Sequence, residues 1–366
     1  MAEHGPRIHL TISSHGYGHL TQAAALTREL IKQIPDTMFR IQCNLPREVI
    51  TQRLGFDNFA HDTCSMDIGL IQKDPITADL HATYRAYTAL HKNFNERVAG
   101  EAKKIKDWHP DLVISDIPYL PLAAASRAEI PSISLASLSW DYIIEAYFNL
   151  NESEPAKWHA DARASYAETT LALLPAPAMS GDCFPNKRDI PPIAMLGERQ
   201  SAFRSALSIK DSDIRPLILC SLGGIPGAKL PISIMTKSSD FHWLVNDSDY
   251  PASENIHNLD DCKNWQYKDV IASVDGLIGK PGYGMAVEAA AHGIPFVFFR
   301  RGHFPDEPFI VDWLHRYTRT KEISTEDWSA GSFVKPLIEL FDSPAPKPPH
   351  CNGAEIGALA IKDLIC

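Results

Sequence analysis

The stretch from Ile278 to Pro308, IGKPGYGMAVEAAAHGIPFVFFRRGHFPDEP, restricts the fold more than any other part of the chain. A short apolar strand over 275–278 runs into a turn holding Gly279, Gly282 and Gly284. The pattern predicts a compact helix over Tyr283–His292, ended by Gly293, and then a second strand, PFVFF, from Pro295. A strand, a glycine turn and a helix start set this closely belong to a parallel βαβ unit. The same unit makes an anion site. The first N–H groups of the helix have no partner within it, the helix dipole points the same way, and glycine lets a phosphate approach the backbone. Glu288, about one helical turn further in, can accept hydrogen bonds from ribose hydroxyls. Asp306 and Glu307, after the second strand, are placed to grip a sugar. Together these residues read as a nucleotide-sugar site.

The remainder of the chain repeats the unit. RIHLTIS at Arg7–Ser13 is a strand, followed by the turn SHGYGH and an amphipathic helix, LTQAAALTRELIKQI. Strands are expected at Met38–Cys43, Asp111–Ser115, Pro131–Ala136 and over LALLP, which reads as the last strand of the first half. The stretch Thr77–Trp108 reads as one long helix. From Ala176 the pattern loosens among prolines, and it restarts with the apolar strand Leu217–Ser221 and a turn holding Gly223 and Gly224. We therefore expect an α/β chain of two doubly wound, Rossmann-like domains: 1–190 on the acceptor side, a connection over 191–214, and 215–366 on the donor side. At 366 residues the chain is long enough for both. Ligands in such sheets sit beyond the strand C-termini, so two facing domains place a cleft between them.

Charge and cysteine usage narrow the partners. A net charge of −10 argues against nucleic acid, and no apolar run approaches the ~20 residues of a membrane helix. The N-terminus lacks the pattern of a signal peptide. Seven dispersed cysteines without a CxxC pair suggest free thiols in a reducing cytoplasm, with no metal site.

His19 is expected at the carboxyl end of the first strand, facing the cleft, where a neutral imidazole can serve as general base. The adjacent helix N-terminus is expected to lower its pKa. Asp116 ends another strand on the same rim and can fix the tautomer. Each also has a plainer reading, His19 as a helix-start residue and Asp116 as a turn residue before Pro118. Gly16 and Gly18 can simply permit a tight turn. Lys280 can neutralise a diphosphate or be a solvated lysine. Glu288 needs a partner, and a salt bridge to Arg300 or Arg301 is the alternative to a ribose. Asp306 and Glu307 also suit the first turn of a helix. Trp140 and Asp141 are read as ending a strand and lining an acceptor pocket, with a core Trp as the alternative.

These segments resemble the two-domain nucleotide-sugar glycosyltransferases of the GT-B fold. The resemblance implies that Gly282 to Gly284 hold a diphosphate with Gly18, Gly223, Gly224, Lys280 and Tyr283 nearby, that Glu288 holds the ribose, and that Asp306 with Glu307 hold the sugar. It also implies that His19 is the base and Asp116 its partner; His15, Trp140 and Asp141 are expected on the acceptor side. HGYGHLTQ, SLSWDYIIEAY, the GKPGYG-to-FPDEPF stretch and NGAEIGALAI further resemble the glycosyltransferase-like N-terminal half of plant L-arabinokinases and stand-alone bacterial relatives. The chain ends at Cys366 without a sugar-kinase phosphate loop, so arabinokinase activity is not expected. The turn KPGYGMA departs from the hydroxyl-rich turn of many members.

The expectation is an inverting transferase that takes a nucleotide-sugar donor and a small-molecule or glycan acceptor and requires no metal or other cofactor. Homodimerisation is left open. A non-catalytic binding or regulatory module is the alternative. Epimerisation, with His303 and Asp306 as acid and base, ranks last.

Overall fold

The structure is a computed structural model describing residues 5–74, 77–223, 230–246, 253–262, 264–302 and 304–365. Gly224 and His303 lie outside the described residues. Strands β1 (Arg7–Ile12), β2 (Met38–Gln42), β3 (Phe59–Asp62), β4 (Leu112–Asp116), β5 (Ser132–Leu135), β6 (Leu171–Pro175) and β7 (Lys187–Ile190) form a parallel sheet ordered β3-β2-β1-β4-β5-β6-β7. A second parallel sheet, β10-β9-β8-β11-β12-β13, is built from β8 (Leu217–Ser221), β9 (His242–Val245), β10 (Ile256–Asn258), β11 (Gly276–Gly279), β12 (Phe296–Phe298) and β13 (Thr320–Glu322). Every residue of β4 and β6 is buried, as expected for strands covered by helices on both faces.

The covering helices of the first half are α1 (Tyr17–Gln33), α2 (Arg47–Leu54), α3 (Leu80–His91), α4 (Phe94–Trp108), α5 (Leu120–Ala128), α6 (Trp140–Tyr147) and α7 (Ser153–Ala167). The connection holds α8 (Phe203–Ala206). The second half adds α9 (Ile232–Lys237), α10 (Tyr267–Ser273), α11 (Tyr283–His292), α12 (Glu307–Tyr317), α13 (Thr325–Ala330), α14 (Val334–Phe341) and α15 (Gly353–Ile365). Among the described residues no helix is long and apolar enough to cross a membrane.

Three expectations change. The single helix over 77–108 is two, α3 and α4, broken at Lys92 and Asn93. Asn93 takes a non-helical ψ of 38° as the residue before α4, and the break lets both apolar faces reach the core. LALLP is not the last strand of its sheet, because β7 follows it on the edge. The last helix, α15, does not stay with 215–366. It packs on α1, and Ala358 and Ile361 join the core of the first sheet. Small residues permit the approach: a Cβ on Gly357 would lie 2.8 Å from Leu26, and one on Gly353 would lie 1.9 Å from the Pro191 carbonyl oxygen.

Candidate functional site

A doubly wound sheet opens a crevice where neighbouring strands connect in opposite directions. In the first sheet that point lies between β1 and β4, and in the second between β8 and β11. The loop after β1 carries His15 and leads to His19, and Asp116 ends β4. Gly223 follows β8, and Lys280 to Gly282 follow β11. Strand order alone therefore brings the expected residues to two crevices. Helices α1 and α11, whose N-termini carry the two glycine turns, touch each other.

On the first wall His19 Nδ1–H donates to Asp116 Oδ1 at 2.7 Å, with His19 6% and Asp116 1% exposed. This leaves Nε2 as the ring nitrogen able to take a proton. Gly16 precedes α1 with φ 85°, a left-handed geometry that favours glycine, and its N–H donates to the Ser14 carbonyl. The expected lowering of the His19 pKa is reversed. Burial alone would lower it, but the Asp116 carboxylate in contact, with Asp67 and Asp306 further off, raises it above the ordinary imidazole value. His15 goes the other way, lowered to about 4 by burial, with His19, Arg301 and Lys280 adding to the effect. It stays neutral, edge-on to Trp140 at 5.7 Å.

Trp140 and Asp141 do not end a strand. They open α6, after β5. The Trp140 ring is buried 6.1 Å from the His19 ring, so it is both a core side chain and a wall of the site. Asp141 is buried and committed to the Ser139 hydroxyl and to Arg163 Nη1 at 2.9 Å, which removes it from an acceptor pocket.

On the second wall Gly282 precedes α11 and Gly284 lies in its first turn. A Cβ on either would meet open space, as would one on Gly18 across the cleft. The Lys280 side chain lies over Gly223, where a Cβ would come 3.0 Å from its Cε and 3.2 Å from its Nζ. Burial and the Arg301 charge lower the Lys280 pKa to about 8. Tyr283 does not face a ligand with its hydroxyl, which accepts from the Ile193 N–H of the connection at 3.0 Å.

Glu288 has neither of the salt bridges weighed for it. Arg300 bonds Glu322 at 2.9 Å, and Arg301 bonds Glu307 at 2.6 Å and Asp306 at 3.2 Å. Glu288 is 8% exposed and makes no hydrogen bond or ion pair among the described residues. Burial pushes its carboxyl up to about 8, against a lowering by Arg53 of α2. Glu307 is 1% exposed and accepts from both the Arg301 backbone and its Nε, so it organises the loop. Asp306 is the more accessible of the two acidic residues, and its carboxylate pairs with Arg301 at 3.2 Å.

The two walls act on each other: Lys280 and Arg301 depress the proton affinity of His15, and Asp306 raises that of His19. Sequence reasoning missed two contributors. Arg301 shapes the acidic loop and stacks over Phe304 at 3.8 Å. Asp67 sits in the first crevice. It comes from the irregular stretch after β3, where no periodicity or glycine pattern marks it.

No family model matches the chain. L-arabinokinase of Arabidopsis thaliana is 27% identical over 365 residues, covering 96% of this chain and 34% of that protein, so the chain spans about a third of that relative's length. The glycotransferase of kitacinnamycin superposes with a TM-score of 0.66 at 15% identity, covering 99% of this chain and 100% of the other. UGT89C1 of Arabidopsis thaliana, complexed with UDP, superposes with a TM-score of 0.59 at 14% identity, covering 98% and 94%. The likeness to L-arabinokinase read from the motifs thus extends along nearly the whole chain. The architecture is the two-domain GT-B fold.

Proposed function

We propose that this protein is an inverting glycosyltransferase that moves a sugar from a nucleoside diphosphate sugar to an acceptor hydroxyl or amine. The observation that carries the reading is the pairing of two crevices. One holds a buried imidazole oriented by a carboxylate at 2.7 Å. The other holds an open glycine turn at a helix N-terminus and a buried carboxylate with no hydrogen bond or ion pair among the described residues. Catalytic function needs both a base and a leaving-group site, and neither crevice supplies both.

In this reading the diphosphate lies against Gly282 and Gly284, and Lys280 adds a positive charge beside it. Glu288 receives the ribose, which gives its carboxyl the hydrogen bonds it lacks. The acceptor approaches from the first wall and loses its proton to His19 Nε2. It attacks the anomeric carbon opposite the departing phosphate oxygen, so configuration inverts. The leaving charge is met by the helix N-terminus and Lys280, which removes the need for a metal in this scheme. Closure of the two halves excludes water and limits hydrolysis. The complex of UGT89C1 with UDP supports a nucleoside diphosphate in this fold.

The test is transfer by wild type and His19→Ala over a panel of nucleotide sugars and acceptors. The proposal expects His19→Ala to lose activity by about 10²–10⁴-fold while donor binding is retained. Full activity in the variant removes His19 as base. Donor binding without turnover in wild type points to a binding module.

A further inference from the structure

Asp67 belongs to none of the motifs above, yet it is packed into the base. Its side chain is 6% exposed, and its Oδ2 accepts from the Trp140 indole N–H at 2.8 Å. The Trp140 ring in turn lies 6.1 Å from the His19 ring and 5.7 Å from the His15 ring. Two residues on, Gly69 is pressed so close that a Cβ there would come 3.1 Å from both His15 and Trp140. Loop, indole and both histidines therefore form one packed unit.

A tie to an indole N–H does not require a charge, since a backbone carbonyl or an amide serves equally. Burying a carboxylate is costly unless a counter-charge faces it. Burial raises the Asp67 carboxyl, and hydrogen bonds from Ser13 and Trp140 together with the His19 charge oppose that rise. The charges that act on His19 come from Asp116 on β4, Asp67 on the loop, and Asp306 ahead of α12, and all are acidic. His15 beside it is neutral at pH 7. On its other side Asp67 acts on Tyr87 and Tyr119, both buried with hydroxyls held protonated, and on Cys43, whose thiol is also pushed up by burial.

We propose that Asp67 is a positioning residue for the base, a second carboxylate that shares with Asp116 the stabilisation of the His19 imidazolium. The proposal rests on the reading of His19 as base. In the step, the acceptor proton moves to His19 Nε2 while the Nδ1 proton stays on the ring, hydrogen-bonded to Asp116 Oδ1. The acceptor oxygen bonds to the anomeric carbon, and the electron pair of the broken bond leaves on the diphosphate. Asp67 touches none of the reacting atoms. Its charge holds the cation they create.

Two variants separate charge from scaffold. Asp67→Asn keeps an oxygen acceptor for Trp140 and removes the charge. Trp140→Phe removes the hydrogen bond and keeps the charge. His19 is titrated by imidazole NMR in each, assigned with His19→Gln, with a melting temperature recorded alongside. We expect the His19 midpoint to move to lower pH in Asp67→Asn with little change in melting, and to stay raised in Trp140→Phe. Transfer by Asp67→Asn should fall about tenfold in kcat with donor KM unchanged. An unmoved midpoint in Asp67→Asn overturns the proposal, as does a midpoint lowered in Trp140→Phe. The titration needs no substrate, so coupled carboxylates in a protein without transfer activity would separate failure of the reaction from failure of this inference.

Discussion

Glu288 is where function and stability oppose each other most directly. Its carboxyl titrates near 8 in the folded protein against an ordinary 4.5. Between those values the folded state holds a proton that the unfolded state has released. Stability contributed by this group is therefore full below pH 4.5, falls as pH rises, and is lost above about pH 8. Glu288→Gln should flatten that dependence and stabilise the protein at pH 9 by on the order of 3 kcal/mol. Urea unfolding at pH 5 and pH 9 reads the difference. The same variant should bind the donor more weakly, because the ribose loses a carboxylate partner. Equal stability of both proteins at pH 9 would show that Glu288 has a partner in solution. Asp116→Asn belongs to the same scale: it should lower kcat about 10²–10⁴-fold and leave donor affinity intact, as measured by titration against steady-state rates.

Among elements, α11 is the one on which the proposed donor site bears most directly. Gly284 sits in its first turn with open space where a side chain would go. Gly284→Ala should strengthen the helix by about 0.5 kcal/mol and weaken donor binding, since the methyl enters the diphosphate space. Melting and donor titration should move in opposite directions, and unchanged affinity would place the diphosphate elsewhere. The central strands and α11 were legible because buried parallel strands leave apolar runs and glycine turns punctuate them. The strands that sequence reasoning missed, FAHD at β3, KRDI at β7 and TKE at β13, are all sheet edges, where polar residues protect the exposed side. His19, Asp116 and Glu288 were readable for the same reason as the strands, because each lies on or just beyond a regular element. Asp67 was not, because tertiary packing brings it to Trp140, 73 residues away, whereas Arg301 was weighed only as a partner of Glu288 and instead pairs with Asp306 and Glu307 in its own loop. Asp141 was misread because its Arg163 partner, 22 residues away, has no local signature.

At the scale of the whole molecule the halves meet, among the described residues, where α15 and α11 pack on α1, at Tyr283 on the Ile193 N–H, and at Phe304 beside Tyr147. Phe304 comes from the loop that carries Asp306, yet it is buried in the first half's aromatic core 6.2 Å from the Tyr147 ring. Phe304→Ala should loosen this seam, costing about 3 kcal/mol of stability. Solution scattering should report a larger radius of gyration, and donor hydrolysis should rise relative to transfer as water enters. An unchanged radius and partition would mean that α15 and the connection hold the halves alone. The central claim is that the crevice at α11 binds a nucleoside diphosphate sugar. A thermal-shift panel with uridine, thymidine and guanosine diphosphate sugars on wild type, His19→Ala and Glu288→Ala tests it most directly. A ligand at a hundred times its Kd adds about 2.7 kcal/mol to the folded state. The account predicts that one nucleoside series raises the melting temperature of wild type and His19→Ala, with a much smaller rise in Glu288→Ala. No rise with any donor, or an equal rise in Glu288→Ala, would contradict it.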